Sequence, residues 1–234
     1  MTIDTEYDFR LDSGGRDSDY ASQTLRNYHQ ILWSKPLPDG TVFEIVHDPS
    51  RYSYLIGETR LGTMFLSSDS ITTSMSVHKK LQPVLSQIPE SDIERFKSAG
   101  STIGSRILFP GKKVNGLQTI NQARGFSGQI KDRFDLTLEC IRRFYDGERS
   151  PLSDVLSRYG EFFKLFEDFS GYTEFFLLQD LVEGSRVKFF LPFEAFDTTN
   201  PYPKNVEQYN TYMNGSIEFV RNSNRRISTF VNKT

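Results

Sequence analysis

Thr119-Ile-Asn-Gln-Ala-Arg-Gly-Phe-Ser-Gly128 brings two glycines, an arginine and an asparagine together in one short stretch. These are residue types that hold a phosphate. Glycines let an anion approach the backbone, a guanidinium closes on it bidentately, and an amide adds a directional contact. Ser127 reads as the cap of a long helix running to about Tyr145, so Gly125 and Gly128 fall at a helix start with Arg124 beside them. Such a start offers unpaired N–H groups and the positive end of the helix dipole. Arg106 on a preceding strand, Asn121 and Arg133 complete the candidate ligand-binding set. From Ser101 to Arg133 the chain holds six basic residues (Arg106, Lys112, Lys113, Arg124, Lys131, Arg133) against Asp132 alone, while Phe134 to Val182 has five basic against ten acidic. The pattern is neither GxxxxGK[ST] nor GxGxxG. The competing reading is a capped helix start whose Arg124 pairs with a carboxylate such as Asp132 or Glu139.

Other chemistry has less support. His29, His47 and His78 are scattered, with no HxH, HExxH or Cys/His cluster, so no metal site is expected. His47-Asp48 is the pair found in metal-dependent phosphohydrolases, but further ligands at suitable spacing are missing. The Ser/Thr run from Ser67 to Ser76 has no GxSxG elbow and reads as a hydrophilic loop. Cys140, on the flank of its helix, reads as a partly buried, inert thiol. Asp132, Asp135 and Glu139 share a helix face, yet Arg142 and Arg143 follow Glu139 at ion-pair spacing, so a salt-bridged face explains them. No cofactor is indicated.

The chain has 234 residues, 28 of them Lys or Arg and 30 Asp or Glu. That balance excludes a general electrostatic grip on nucleic acid or membrane. A single cysteine excludes an internal disulfide. The N-terminal stretch lacks the pattern of a secretory signal, and no apolar run is long enough to span a bilayer. The expectation is a soluble, cytoplasmic protein.

Elements must position these residues. Residues 1–20 are polar and read as a flexible arm, leaving 21–234 as a single α+β domain. Ser22 caps a short helix carrying Leu25, Tyr28, Ile31 and Leu32, ended by Pro36 and Pro38. Thr41 to Val46, Arg51 to Ile56 and Arg60 to Leu66 read as an antiparallel meander with turns at Asp48-Pro49 and Gly57-Glu58. A helical stripe at 77–88, a short helix ending at Gly100 and a strand at Thr102 to Phe109 follow, with turns at Pro110-Gly111 and Asn115-Gly116. Beyond the helix from Ser127, the stripe Leu152, Val155, Leu156, Tyr159, Phe162, Phe163, Phe166, Phe169 predicts an amphipathic helix broken at Gly171. Arg186 to Phe193 reads as a strand, and a last helix runs from Val206 to Val231 with Gly215 as a weak point. Strands come early and helices late. This predicts an α+β fold, an N-terminal antiparallel β-meander packed with a C-terminal helical, phenylalanine-rich half.

Tyr7-Asp-Phe-Arg10, Tyr28-His-Gln-Ile-Leu-Trp-Ser-Lys-Pro-Leu-Pro38, Phe65-Leu-Ser-Ser-Asp69, Thr119-Ile-Asn121, Asp132-Arg-Phe-Asp-Leu-Thr-Leu-Glu-Cys-Ile-Arg-Arg143 and Phe166-Glu-Asp-Phe169 together resemble a bacterial family catalogued only as a domain of unknown function. The likeness covers nearly the whole chain. It implies a bacterial cytoplasmic origin and carries over no catalytic residue, ligand or partner. Two functions stay open: binding of a phosphate-bearing ligand (a nucleotide or nucleic acid) near residues 106–133, with catalysis undecided, or a non-catalytic protein–protein interaction module. Arg221, Arg225 and Arg226 on the last helix would suit an acidic protein partner.

Overall fold

A single turn, α1 (Ser18–Ala21), leads into α2 (Gln23–Trp33), where the Ser22 hydroxyl accepts the Leu25 N–H as its residue type predicts. The computed structural model describes residues 2–46 and 55–232. His47-Asp48, the Asp48-Pro49 turn and the first part of the strand expected from Arg51 lie outside the described residues.

After α2 come β1 (Lys35–Pro36), β2 (Val42–Val46), β3 (Leu55–Thr59) and β4 (Gly62–Ser70). Phe43 and Ile45 of β2 point inward between exposed neighbours, the two-residue period of a half-buried strand. Two short helices, α3 (Gln82–Leu85) and α4 (Glu90–Ala99), precede β5 (Arg106–Pro110). Together β1 to β5 make one antiparallel sheet in sequential order. The expected meander is therefore longer than three strands. It is longer because β4 continues through Ser67-Ser-Asp-Ser70, expected as a loop, and pairs there with β5 (Ser67↔Phe109, Ser70↔Arg106). Although β5 is an edge strand, all five of its residues are buried.

Next come α5 (Ile120–Phe126) and α6 (Phe134–Tyr145). They replace the long helix expected from Ser127. Thr119 caps α5 through a reciprocal capping box with Gln122. Ser127 is the residue that ends α5, and Lys131 and Asp132 at positive φ turn the chain before α6 begins.

The phenylalanine stripe is helical but not one helix. It divides into α7 (Ser153–Arg158), α8 (Gly160–Lys164) and α9 (Phe169–Phe175), with Asp168 capping α9 and Gly171 inside it. A straight helix would string these rings along its axis at 1.5 Å per residue. The breaks instead fold Phe166 onto Tyr172, Phe175 and Phe176, at centroid distances of 5.4, 5.0 and 5.2 Å. Burying each such side chain contributes roughly 1.5–3 kcal/mol. The expected strand from Arg186 shrinks to β7 (Arg186–Val187), paired with β6 (Val182–Glu183). The last helix, α10 (Val206–Val231), passes through Gly215 without a break.

One hydrophobic core runs from Phe9 to Ile227 and joins the sheet to the phenylalanine-rich helices. A second lies between α4 and α10 around Phe96, Tyr209, Tyr212 and Ile217. The first includes a residue of the segment expected to be a flexible arm: Phe9 is fully buried, and its N–H donates to Ser101 O at 3.0 Å.

Candidate functional site

The pleat of β4 deals Ser67, Ser68, Asp69 and Ser70 to alternate faces. Ser68 and Ser70 share one face with Arg106, which sits opposite Ser70 in register. The Arg106 guanidinium donates to Ser70 Oγ at 2.7 Å, Asp19 Oδ1 at 2.9 Å and Ser18 Oγ at 3.2 Å. Ser68 Oγ donates to the same Asp19 oxygen at 2.7 Å and lies 3.0 Å from His29 Nε2. Trp33 Nε1–H donates to His29 Nδ1 at 3.0 Å. That bond occupies the Nδ1 lone pair, so the proton of the neutral ring is on Nε2 and is donated to Ser68. His29 has no lone pair left with which to activate Ser68, and this serine–histidine contact is not a nucleophilic pair. Burial pushes the His29 pKa down to about 3, and the charges of Arg106 and Arg26 act in the same direction.

Ser67 and Asp69 take the other face. Asn121 Nδ2 donates to Ser67 Oγ at 3.2 Å and Ser68 O at 3.4 Å. Arg124, only 1% exposed, is ion-paired with Asp69. It also donates to Thr137 Oγ1 at 2.9 Å and Asp132 O at 3.2 Å, with its guanidinium over the rings of Phe109 and Phe134. Burial raises the Asp69 carboxyl pKa to about 6, against the pull of Arg124. Arg133 is buried elsewhere, ion-paired with Asp135 and donating to Leu191 O at 3.4 Å and Pro201 O at 3.5 Å.

The structure thus separates what the sequence grouped. Arg106 and Arg124 lie on opposite faces of the β4–β5 pair, Arg133 serves a third set of carbonyls, and each has a carboxylate partner. Beside Gly125, where a phosphate was expected, stands Asp132: a Cβ added to that glycine would lie 3.1 Å from Asp132 Oδ1. Gly128 has open space around it. Cys140 is fully buried rather than partly so, and burial raises its pKa to about 12, which makes the thiol inert. Among the described residues no group of His, Cys, Asp and Glu could hold a metal ion, and no helix is long and apolar enough to cross a membrane.

Asn121 does face a cavity, of about 660 Å³, lined by Tyr20, Ser67, Lys112, Lys113, Asn121 and Gln122 among others, and by no acidic residue. Lys112 Nζ lies 4.9 Å from the Phe65 ring centre, and neither lysine has an ion pair among the described residues. Asn121 Oδ1 is buried without a hydrogen-bond partner. The lysine-bearing loop is anchored: Gly111 N–H donates to Phe65 O at 2.8 Å, Tyr159 Oη to Lys112 O at 2.9 Å and Arg158 to Gln118 O at 2.9 Å. Sequence reasoning counted Lys112 and Lys113 in the basic segment but gave them no role. Their signal was position, immediately beyond Pro110-Gly111 where a strand ends. On α10, Arg226 is paired with Asp180 at 2.7 Å and Arg225 donates to Asn222, so neither guanidinium is idle.

Fold and site together define an α+β protein in which Arg106 and Arg124 are matched to carboxylates on the two faces of β4 and a basic, acid-free cavity opens beside them. The chain belongs to a family of unknown function, DUF6994, whose model matches residues 3–227. No curated protein and no solved structure matches it.

Proposed function

We propose that the chain binds a phosphate-bearing ligand, a nucleotide or the end of a nucleic acid, in the cavity walled by Lys112, Lys113 and Asn121. The observation that carries this reading is a polar cavity with two lysines and no carboxylate to neutralise them. Phosphate supplies the missing negative charge. The partnerless Asn121 Oδ1 asks for a donor, which the amino group of a base or a sugar hydroxyl provides, and the exposed Tyr20 ring offers a surface for stacking. Arg106, Arg124, Gly125, Gly128 and Arg133 support the walls or lie outside them. A protein partner at Arg221, Arg225 and Arg226 is less favoured, because Arg226 already has its carboxylate. A cytoplasmic setting, where nucleotides abound, fits this reading.

The test is a titration of the full chain with nucleoside triphosphates and a short oligonucleotide, repeated with the Lys112→Ala/Lys113→Ala variant. Wild type should bind, more weakly as salt rises. The variant should lose at least about tenfold in affinity, equivalent to about 1.4 kcal/mol. It should melt like the wild type, because both lysines are exposed. Wild type that binds none of these at millimolar concentration sinks the reading.

A further inference from the structure

On the far side of the sheet from these lysines in sequence, at the β1 edge, a different amine sits in a different setting. Lys35 Nζ donates to Phe175 O and lies 4.6 Å from the Phe175 ring centre, 4.7 Å from that of Phe230 and 4.9 Å from that of Trp33. It has no ion pair among the described residues. Phe175 and Phe230 are also walls of a cavity of about 480 Å³, which places the amine at the cavity's edge. Ile31, Leu37, Pro36 and Pro38 make the rest of that lining mostly apolar, and Glu174 is the other charged residue in it. An ammonium ion paired with a carboxylate is a poor nucleophile. An amine at an apolar wall with one backbone partner is the arrangement that favours addition to carbonyl compounds.

We propose that this cavity takes a small apolar aldehyde, an aromatic one fitting best, and holds it covalently as an imine on Lys35. The Nζ lone pair adds to the carbonyl carbon, forming the C–N bond as the C=O π pair moves to oxygen. Both N–H protons then pass to that oxygen, the C–O bond breaks, and water leaves as the C=N bond closes. No oxidant or reductant is consumed. Burial supports the chemistry by pushing the Lys35 pKa down to about 7. Glu174, exposed on the same wall, disfavours an anionic carbonyl compound and leaves a neutral one unopposed.

Benzaldehyde with cyanoborohydride, applied to the full chain at neutral pH, traps any imine as a stable secondary amine, and peptide mapping locates it. Lys35 should carry the adduct at least about tenfold over any other lysine, since ordinary lysines hold almost no free amine at that pH. Glyoxylate, an anionic aldehyde without a ring, should label Lys35 at least about tenfold more slowly. Lys35→Met should remove the preferred adduct and leave background labelling of the exposed lysines unchanged. Benzaldehyde labelling in which Lys35 is no more reactive than the exposed lysines overturns the proposal. Equal labelling of Lys35 by glyoxylate overturns the choice of an apolar ligand.

Discussion

At the scale of single residues, Arg124 holds the fold: it is almost fully buried, and without it Asp69 would be left without its counter-charge. Arg124→Ala should therefore lower stability by roughly 3–5 kcal/mol in a urea melt, and adding Asp69→Asn should recover part of that. A loss under about 1 kcal/mol would show that the pair behaves like an exposed one. His29 makes a separate forecast through pH. Its folded pKa, about 3, is below its ordinary value of 6.5. Its contribution is then present above 6.5 and lost as pH falls towards 3, at about 1.4 kcal/mol per pH unit. Asp69 runs the other way, because its folded pKa of about 6 exceeds 3.8, so its contribution is present below 3.8 and lost as pH rises through 6. The stability difference between wild type and His29→Gln isolates the histidine. It should shrink as pH is lowered from 7 to 4, and parallel curves would show that His29 does not gain a proton on unfolding.

At the scale of elements, two glycines make opposite forecasts. Gly171 in α9 lies against the Phe166 carbonyl, where an added Cβ would overlap the backbone. Gly171→Ala should cost roughly 1–3 kcal/mol as an overpacked site. Gly215 in α10 would bring its Cβ to an ordinary 3.4 Å from Phe190 Cδ1. Gly215→Ala should stabilise by up to about 1 kcal/mol through helix propensity alone. Thermal melts followed by circular dichroism check both, and a shift of the same sign in the two variants would contradict these placements. The alternation of Phe43 and Ile45 and the cap at Ser22 were legible in the sequence, because each is a local pattern. The run Ser67-Ser-Asp-Ser70 was not. Its polar side chains kept the two-residue period of the strand, yet hydrophilic residues read as a loop unless their partners are known. Those partners lie far along the chain: Asp19 and Arg106 are separated by 87 residues, Asp69 and Arg124 by 55. Ser127 misled for a different reason, since a capping residue type does not reveal which end of a helix it closes. The candidate site was legible only as excess charge plus Asn121. Which basic groups were already paired is a property of the folded chain.

At the scale of the whole molecule, the question is what the N-terminal segment does for the rest. In sequence this segment reads as a flexible arm, and deleting residues 2–19 of such an arm would leave the melting temperature nearly unchanged. The structure gives it several anchors: Phe9 lies edge-on to Tyr28 at 5.8 Å, Tyr28 Oη accepts the Asp4 N–H at 2.9 Å, and Asp12 Oδ2 accepts the Thr24 N–H at 3.0 Å. Asp19 is the carboxylate on Arg106. Losing a buried phenylalanine costs roughly 3–5 kcal/mol, and leaving a buried arginine unpaired costs a similar amount. Against a total stability of about 5–15 kcal/mol, deleting residues 2–19 should therefore remove a large part of it. The melting temperature should fall by on the order of 10–20 °C. Deleting only residues 2–5 keeps Phe9, Asp12 and Asp19 and should have a much smaller effect, which separates loss of these anchors from mere shortening of the chain. An unchanged melt for the longer deletion would restore the flexible arm. It would also mean that Arg106 does not depend on Asp19 for its counter-charge, because Asp69 on the neighbouring strand faces the other way and is held by Arg124.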